Sequence, residues 1–190
     1  MLIHPNKSCL LIIDIQEKLV PAIHEPSKLI QNTRWLTEIA AKVNVPILAS
    51  EQYPQGIGHT LPEIAELIPA KGVMEKVHFS CMSEPQCNET INALRPNQVV
   101  IVGMEAHVCV LQTAIQLKQQ AREVYVVEDC ISSRDPNDKA LALERMRQCG
   151  IYVVSREMVA FEWLQKSGTD TFRDISKNYL WFGWLHQLRR

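Results

Sequence analysis

Residues 99–110 read VVIVGMEAHVCV. Four β-branched residues stand together with nothing polar between them. A glycine follows, and a cysteine comes six positions after it. A strand with one wet face alternates apolar and polar residues. An unbroken apolar run marks a strand covered on both faces, as in parallel sheets. Strand-like apolar runs, several of them unbroken, number six along the chain: Cys9–Asp14, Val45–Ser50, Gly72–Lys76, Gln98–Gly103, Glu123–Val127 and Ile151–Val154.

Helical patterns fill the gaps. Residues 27–43 place Leu29, Ile30, Leu36, Ile39, Ala40 and Val43 at helical spacing. Residues 85–94, 107–120 and 157–165 are further helices. So is 136–149, with Asp135 as N-cap and Gly150 as its stop. Strand–helix–strand repetition implies parallel strands joined by right-handed crossovers in a three-layer αβα sandwich. Neither internal repeat nor linker interrupts the chain, so residues 1–190 are read as one domain, with an apolar tail from about residue 176.

Composition narrows the function. The 190 residues carry 20 basic and 21 acidic side chains, a net charge of −1, which is no footprint for nucleic acid. Hydrophobic residues make up 46% and charged residues 22%, ordinary for a soluble domain. The sequence shows neither a membrane-length apolar run nor an export signal, so a cytoplasmic protein is expected. Six cysteines without metal-type spacing then read as reduced thiols, mostly small buried hydrophobes.

In open parallel sheets, ligands bind beyond the carboxyl ends of the strands. Three reactive residues fall there. Asp14 ends the first strand in LLIIDIQ, Lys76 ends the third in VMEKVHFS, and Cys109 lies just past the fourth. Each has a plainer reading alone: a loop carboxylate, a solvated lysine, a core cysteine. Together they bring a base, a cation and a thiol to one edge. Lys76 and a helix start near His107 are expected to favour the thiolate. Burial is expected to raise Asp14 toward a general base.

These motifs resemble the isochorismatase-like cysteine hydrolases, closest to the isochorismatase domain-containing proteins. The resemblance rests on LLIIDIQEKLV (10–20), EKVHFSCM (75–82) and GMEAHVCVLQTA (103–114), in that order, with EQYPQGIG (51–58). It implies a Rossmann-like, six-stranded parallel sheet with Cys109 as nucleophile, Asp14 as general base and Lys76 as the poising charge. It also implies a cis peptide at Met104–Glu105 and an oxyanion hole from the backbone N–H groups of Glu105 and Cys109. The Asp-x-His metal motif of the nicotinamidases is missing from LASEQYPQGIGHT (48–60). No catalytic metal or other cofactor is therefore expected.

Around this site, Gln16, Gln52, Tyr53, Phe79 and His107 are expected to contact a small-molecule substrate. For Phe79 core packing competes, and for Gln16 a turn role. His59 and His78 are read as surface residues and Trp163 as core. Trp181, Phe182 and Trp184 lie in the apolar tail, which suggests docking on a second copy in a homo-oligomer. No nucleic-acid or membrane partner is expected. The function read is hydrolysis of an amide-like bond through a thioester. The alternative is a non-catalytic or redox-sensing oligomeric binding protein, with Cys81 the nearest candidate to resolve an oxidised Cys109.

Overall fold

The computed structural model describes residues 1–180. Six strands form one sheet: β1 (Ser8–Ile13), β2 (Ile47–Gln52), β3 (Val73–Lys76), β4 (Gln98–Met104), β5 (Glu123–Ser132) and β6 (Tyr152–Val154). All neighbouring pairs are parallel, in the order β3-β2-β1-β4-β5-β6. The order reverses between β1 and β4, which is where a ligand crevice opens in such a sheet.

Among the described residues eight α-helices accompany the strands: α1 (Pro26–Lys42), α2 (Pro54–Ile57), α3 (Pro62–Ala65), α4 (Pro85–Ala93), α5 (Leu111–Gln119), α6 (Pro136–Gln148), α7 (Arg156–Leu164) and α8 (Asp170–Ile175). The period-2 geometry of the strands divides their side chains between two cores. Leu10, Ile12, Ala49, Val100 and Val102 pack with α1, α3, α7 and α8. Leu11, Ile13, Leu48, Met74, Val99 and Ile101 pack with α4, α5 and α6. This is the expected three-layer sandwich. Trp163 is core, as expected, and its indole N–H donates to Ser8 Oγ at 2.9 Å. The tail residues Trp181, Phe182 and Trp184 lie outside the described residues.

The short helices α2, α3 and α8 have no counterpart in the sequence reading, and two of the expected elements depart from it. The helix expected over 107–120 opens as one π turn, Ala106–Val110, and becomes α-helical only from Leu111. β5 runs five residues beyond its expected end at Val127. Its polar Glu128 and Asp129 break the apolar run, the register with β4 shifts, and pairing resumes at Ile131 opposite Gly103.

Gly103 is where β4 is pressed against β1. Its φ is +114°, and a Cβ built there would lie 2.1 Å from the carbonyl oxygen of Ile13. Any side chain would push apart the two strands that flank the crevice. Gly103→Ala is expected to lower unfolding stability by about 3 kcal/mol or more. A urea melt checks it, and a loss under about 1 kcal/mol would show that the strands yield.

Candidate active site

The two strands at the reversal, and β2 and β3 beside them, all end at one place. Asp14 stands one residue beyond β1 in a left-handed turn, φ 50°, which aspartate tolerates better than most residues. Its backbone N–H donates to Ser50 O at 3.1 Å, so the turn is tied to β2. Lys76 closes β3, opposite Gln52 of β2 and on the same face as Met74. Cys109 lies within the π turn after β4. Such turns are frequent at functional sites because they re-aim one residue inside a helix.

The side chains converge as the sequence reading expects. Lys76 Nζ donates to Asp14 Oδ2 at 2.7 Å, and neither side chain has any exposed surface. Ser50 Oγ donates to Asp14 Oδ1 at 2.7 Å. Cys109 is only 7% exposed, and its thiol lies within the electrostatic influence of both Asp14 and Lys76.

Burial drives the Asp14 carboxyl above the ordinary carboxylate range, against the opposing pull of Lys76, Ser50 and Cys109. Burial also works to discharge Lys76, but Asp14, Cys109 and Cys81 outweigh it and hold the ammonium above its usual value. For Cys109 the outcome corrects the expectation. Burial first, and the Asp14 charge second, push the thiol up, and Lys76 is too weak to reverse the sign. A sequence shows which charges are neighbours; it does not show how much water is missing. The resting group is therefore a neutral thiol beside a carboxylate of raised proton affinity. Such a thiol becomes a nucleophile when that base takes its proton.

The expected pocket residues divide. Gln16 is fully buried and serves the protein: its amide donates to Gln52 O at 3.0 Å and Gly58 O at 2.6 Å, and accepts from Gln52 N–H at 2.7 Å. Gln52 carries its amide to Lys76. Tyr53 and Phe79 are 53% and 55% exposed, so core packing does not hold for Phe79. Tyr53 and Lys76 share a cleft of about 120 Å³ with Gln55, Val77 and Glu84. A larger cavity, about 290 Å³, sits at His24, Lys28 and Lys139, and no residue lining it belongs to the Asp14–Lys76–Cys109 group. His107 turns aside, with Nδ1 2.9 Å from Ser133 Oγ and Nε2 3.6 Å from Asp138 Oδ2. His78 pairs with Glu84 at 3.0 Å.

The peptide Met104–Glu105 is cis. The Glu105 carboxylate accepts from Arg134 Nε at 2.9 Å and from its backbone N–H at 3.2 Å, which ties the turn before Cys109 to the loop after β5. Sequence reasoning missed Ser50, since a serine closing an apolar strand has no chemical signature. It also missed the role of Glu51 on the opposite face of β2. That buried carboxylate accepts from Thr60 N–H at 2.7 Å and Thr60 Oγ1 at 2.8 Å, and His59 Nδ1 lies 2.9 Å away. These contacts fasten the loop that carries Tyr53. Among the described residues, no three His, Cys, Asp or Glu side chains are grouped to hold a metal ion. All six cysteines are free thiols, and only Cys149 is exposed.

A three-layer α/β sandwich with ionisable and nucleophilic groups gathered at its strand ends is the open-sheet class that places its ligand site at the strand-order reversal. Within that class the chain belongs to the isochorismatase family, whose isochorismatase domain matches residues 8–158. Isochorismatase domain-containing protein 2 of Danio rerio is 34% identical over 172 residues, covering 90% of this chain and 85% of the relative. A structure named MAR1 ribonuclease, from Caenorhabditis elegans, superposes with a TM-score of 0.87 at 33% identity, covering 93% of this chain and 91% of that one. A structure from Escherichia coli, described as an octameric hydrolase of unknown specificity, shares the fold with a TM-score of 0.88 at 21% identity. It covers 94% of this chain and 91% of its own.

Proposed function

We propose that the chain is a cysteine hydrolase acting on a small amide-like substrate through Cys109, Asp14 and Lys76. The observation that carries this reading is the Asp14–Lys76 contact at 2.7 Å, without solvent on either side chain and beside the Cys109 thiol. Desolvating two charges costs several kcal/mol each, so a buried ion pair is a poor source of stability. Its place at the strand ends, against a thiol, suits chemistry better.

In this mechanism Asp14 accepts the thiol proton as sulfur bonds to the substrate carbonyl carbon. The carbonyl π electrons move to oxygen, and the backbone N–H groups of Glu105 and Cys109 receive that oxyanion. As the intermediate collapses, the C–N bond breaks and Asp14 returns its proton to the departing amine. A thioester on Cys109 remains. Asp14 then takes a proton from water, hydroxide adds to the thioester, and the acid leaves as the thiol regains its proton. Lys76 keeps its charge throughout and offsets the negative charge that passes between Asp14 and sulfur. The raised proton affinity of Asp14 supports this double role, since an ordinary carboxylate is too weak a base for a thiol.

The same reading makes the protein a cytoplasmic homo-oligomer acting on a small molecule. Its six free thiols suit a reducing compartment. No helix among the described residues is long and apolar enough to cross a membrane. An octameric relative in fold supports assembly. The test is a panel of small primary and secondary amides, with an RNA oligonucleotide included because one relative is named a ribonuclease. Hydrolysis of an amide that disappears in Cys109→Ala supports the reading. RNA cleavage that survives Cys109→Ala, with every amide untouched, would sink it.

A further inference from the structure

We infer that Gln52 is a positioning residue for Lys76, holding its ammonium between Asp14 and Cys109 without cancelling its charge. This rests on the proposed role of Lys76.

A lysine ammonium has three N–H donors and a flexible four-carbon stem. Lys76 spends one donor on Asp14 Oδ2 at 2.7 Å and a second on Gln52 Oε1 at 2.6 Å. With two acceptors fixed, the direction of the third N–H is fixed as well. The Gln52 amide cannot turn over to serve the same end. Its Nε2 donates to Val77 O at 2.7 Å, so a flipped amide would set its NH2 against the ammonium and its oxygen against a carbonyl. The Gln52 backbone is held in turn. Its N–H donates to Gln16 Oε1 at 2.7 Å and its carbonyl accepts from Gln16 Nε2 at 3.0 Å. Fully buried Gln16 thus pairs with Gln52 as a neighbouring strand would. The chain of contacts runs Gln16, Gln52, Lys76, Asp14, and β2 supplies its middle because Ser50 and Gln52 share one face of the strand.

The neutrality of the amide matters. Asp14 and Lys76 together carry no net charge. A carboxylate at position 52 would bind Lys76 equally well and leave the group at −1, which disfavours a thiolate. An aliphatic side chain would leave the buried ammonium one acceptor short. That favours the neutral amine and frees it to move. Both changes weaken the pull of Lys76 on sulfur, so both raise the Cys109 thiol further.

The experiment follows alkylation of Cys109 by iodoacetamide against pH in the full-length protein, read by peptide mass spectrometry. Thermal melting verifies that each variant is folded. Gln52→Leu is expected to move the midpoint up by about half a unit to one unit, or about three- to tenfold slower alkylation at a fixed pH below it. Lys76→Met moves it up too, and Gln52→Leu adds nothing in the Lys76→Met background, because it acts through Lys76. Gln86→Leu, the same kind of change at an exposed position of α4, leaves the midpoint in place. If Gln52→Leu does not fold, isosteric Gln52→Glu serves, with an upward shift of about one unit or more. The inference is overturned if Lys76→Met moves the midpoint but neither Gln52 variant does, or if the Gln52→Leu shift is as large without Lys76. If Lys76→Met itself moves nothing, the role of Lys76 falls first and this inference falls with it.

Discussion

Lys76→Met is expected to lower the unfolding free energy by about 3–5 kcal/mol at pH 7, the cost of leaving one charge of a buried pair without its partner. The size follows from the setting, because Asp14 and Lys76 have no solvent at either side chain to take over the lost contact. The sign with pH follows from Asp14. Its carboxyl is already raised by burial, and Lys76 is one of the groups that hold it down. Without Lys76 its folded pKa rises further above its unfolded value of about 3.9. A carboxyl with a raised folded pKa is best accommodated when protonated, so stability is lost as pH climbs through that pKa. The deficit of Lys76→Met therefore shrinks from pH 7 toward pH 4. Asp14→Asn in the same chain removes the stranded charge and should recover about half the loss or more at pH 7. Urea melts of the wild type and the two variants across pH check this. A single-variant loss below about 1 kcal/mol would mean that water reaches the pair.

Cys109→Ala is the second large effect. Turnover of any amide found in the panel should fall by at least about a thousandfold, since the covalent route is removed while binding is left. Stability should change little, because one small side chain is lost at the rim of the core. Residual activity near the wild-type value would remove Cys109 from the mechanism.

The sheet was legible because its signal is repetitive. Unbroken apolar runs such as residues 10–13 and 99–102 demand cover on both faces, and the strand–helix alternation around them repeats along the chain. The departures sit where a local choice overrides that pattern. β5 hides its last residues behind Glu128 and Asp129, and the π turn at Ala106–Val110 has no period of its own. At the site, the convergence of Asp14, Lys76 and Cys109 followed from strand-end placement and from a family resemblance. The wiring among them did not. Gln16 and Gln52 look like substrate contacts in a sequence, because an amide at a strand end fits either role. Only the distances show them bonded to the protein itself. The direction of the Cys109 shift was hidden for a related reason. A lysine nearby lowers a thiol, burial raises it, and the balance depends on depth, which no spacing encodes.

The most direct test of the proposed mechanism is acyl transfer to the enzyme itself, using p-nitrophenyl acetate as a small activated donor. Intact mass and peptide mapping locate the acetyl group. Cys149 is the exposed thiol and Cys109 is 7% exposed, so accessibility alone would direct the label to Cys149. The account predicts one acetyl group on Cys109, greatly slowed in Asp14→Asn and absent in Cys109→Ala. Acetylation of Cys149 with Cys109 unmodified would contradict it.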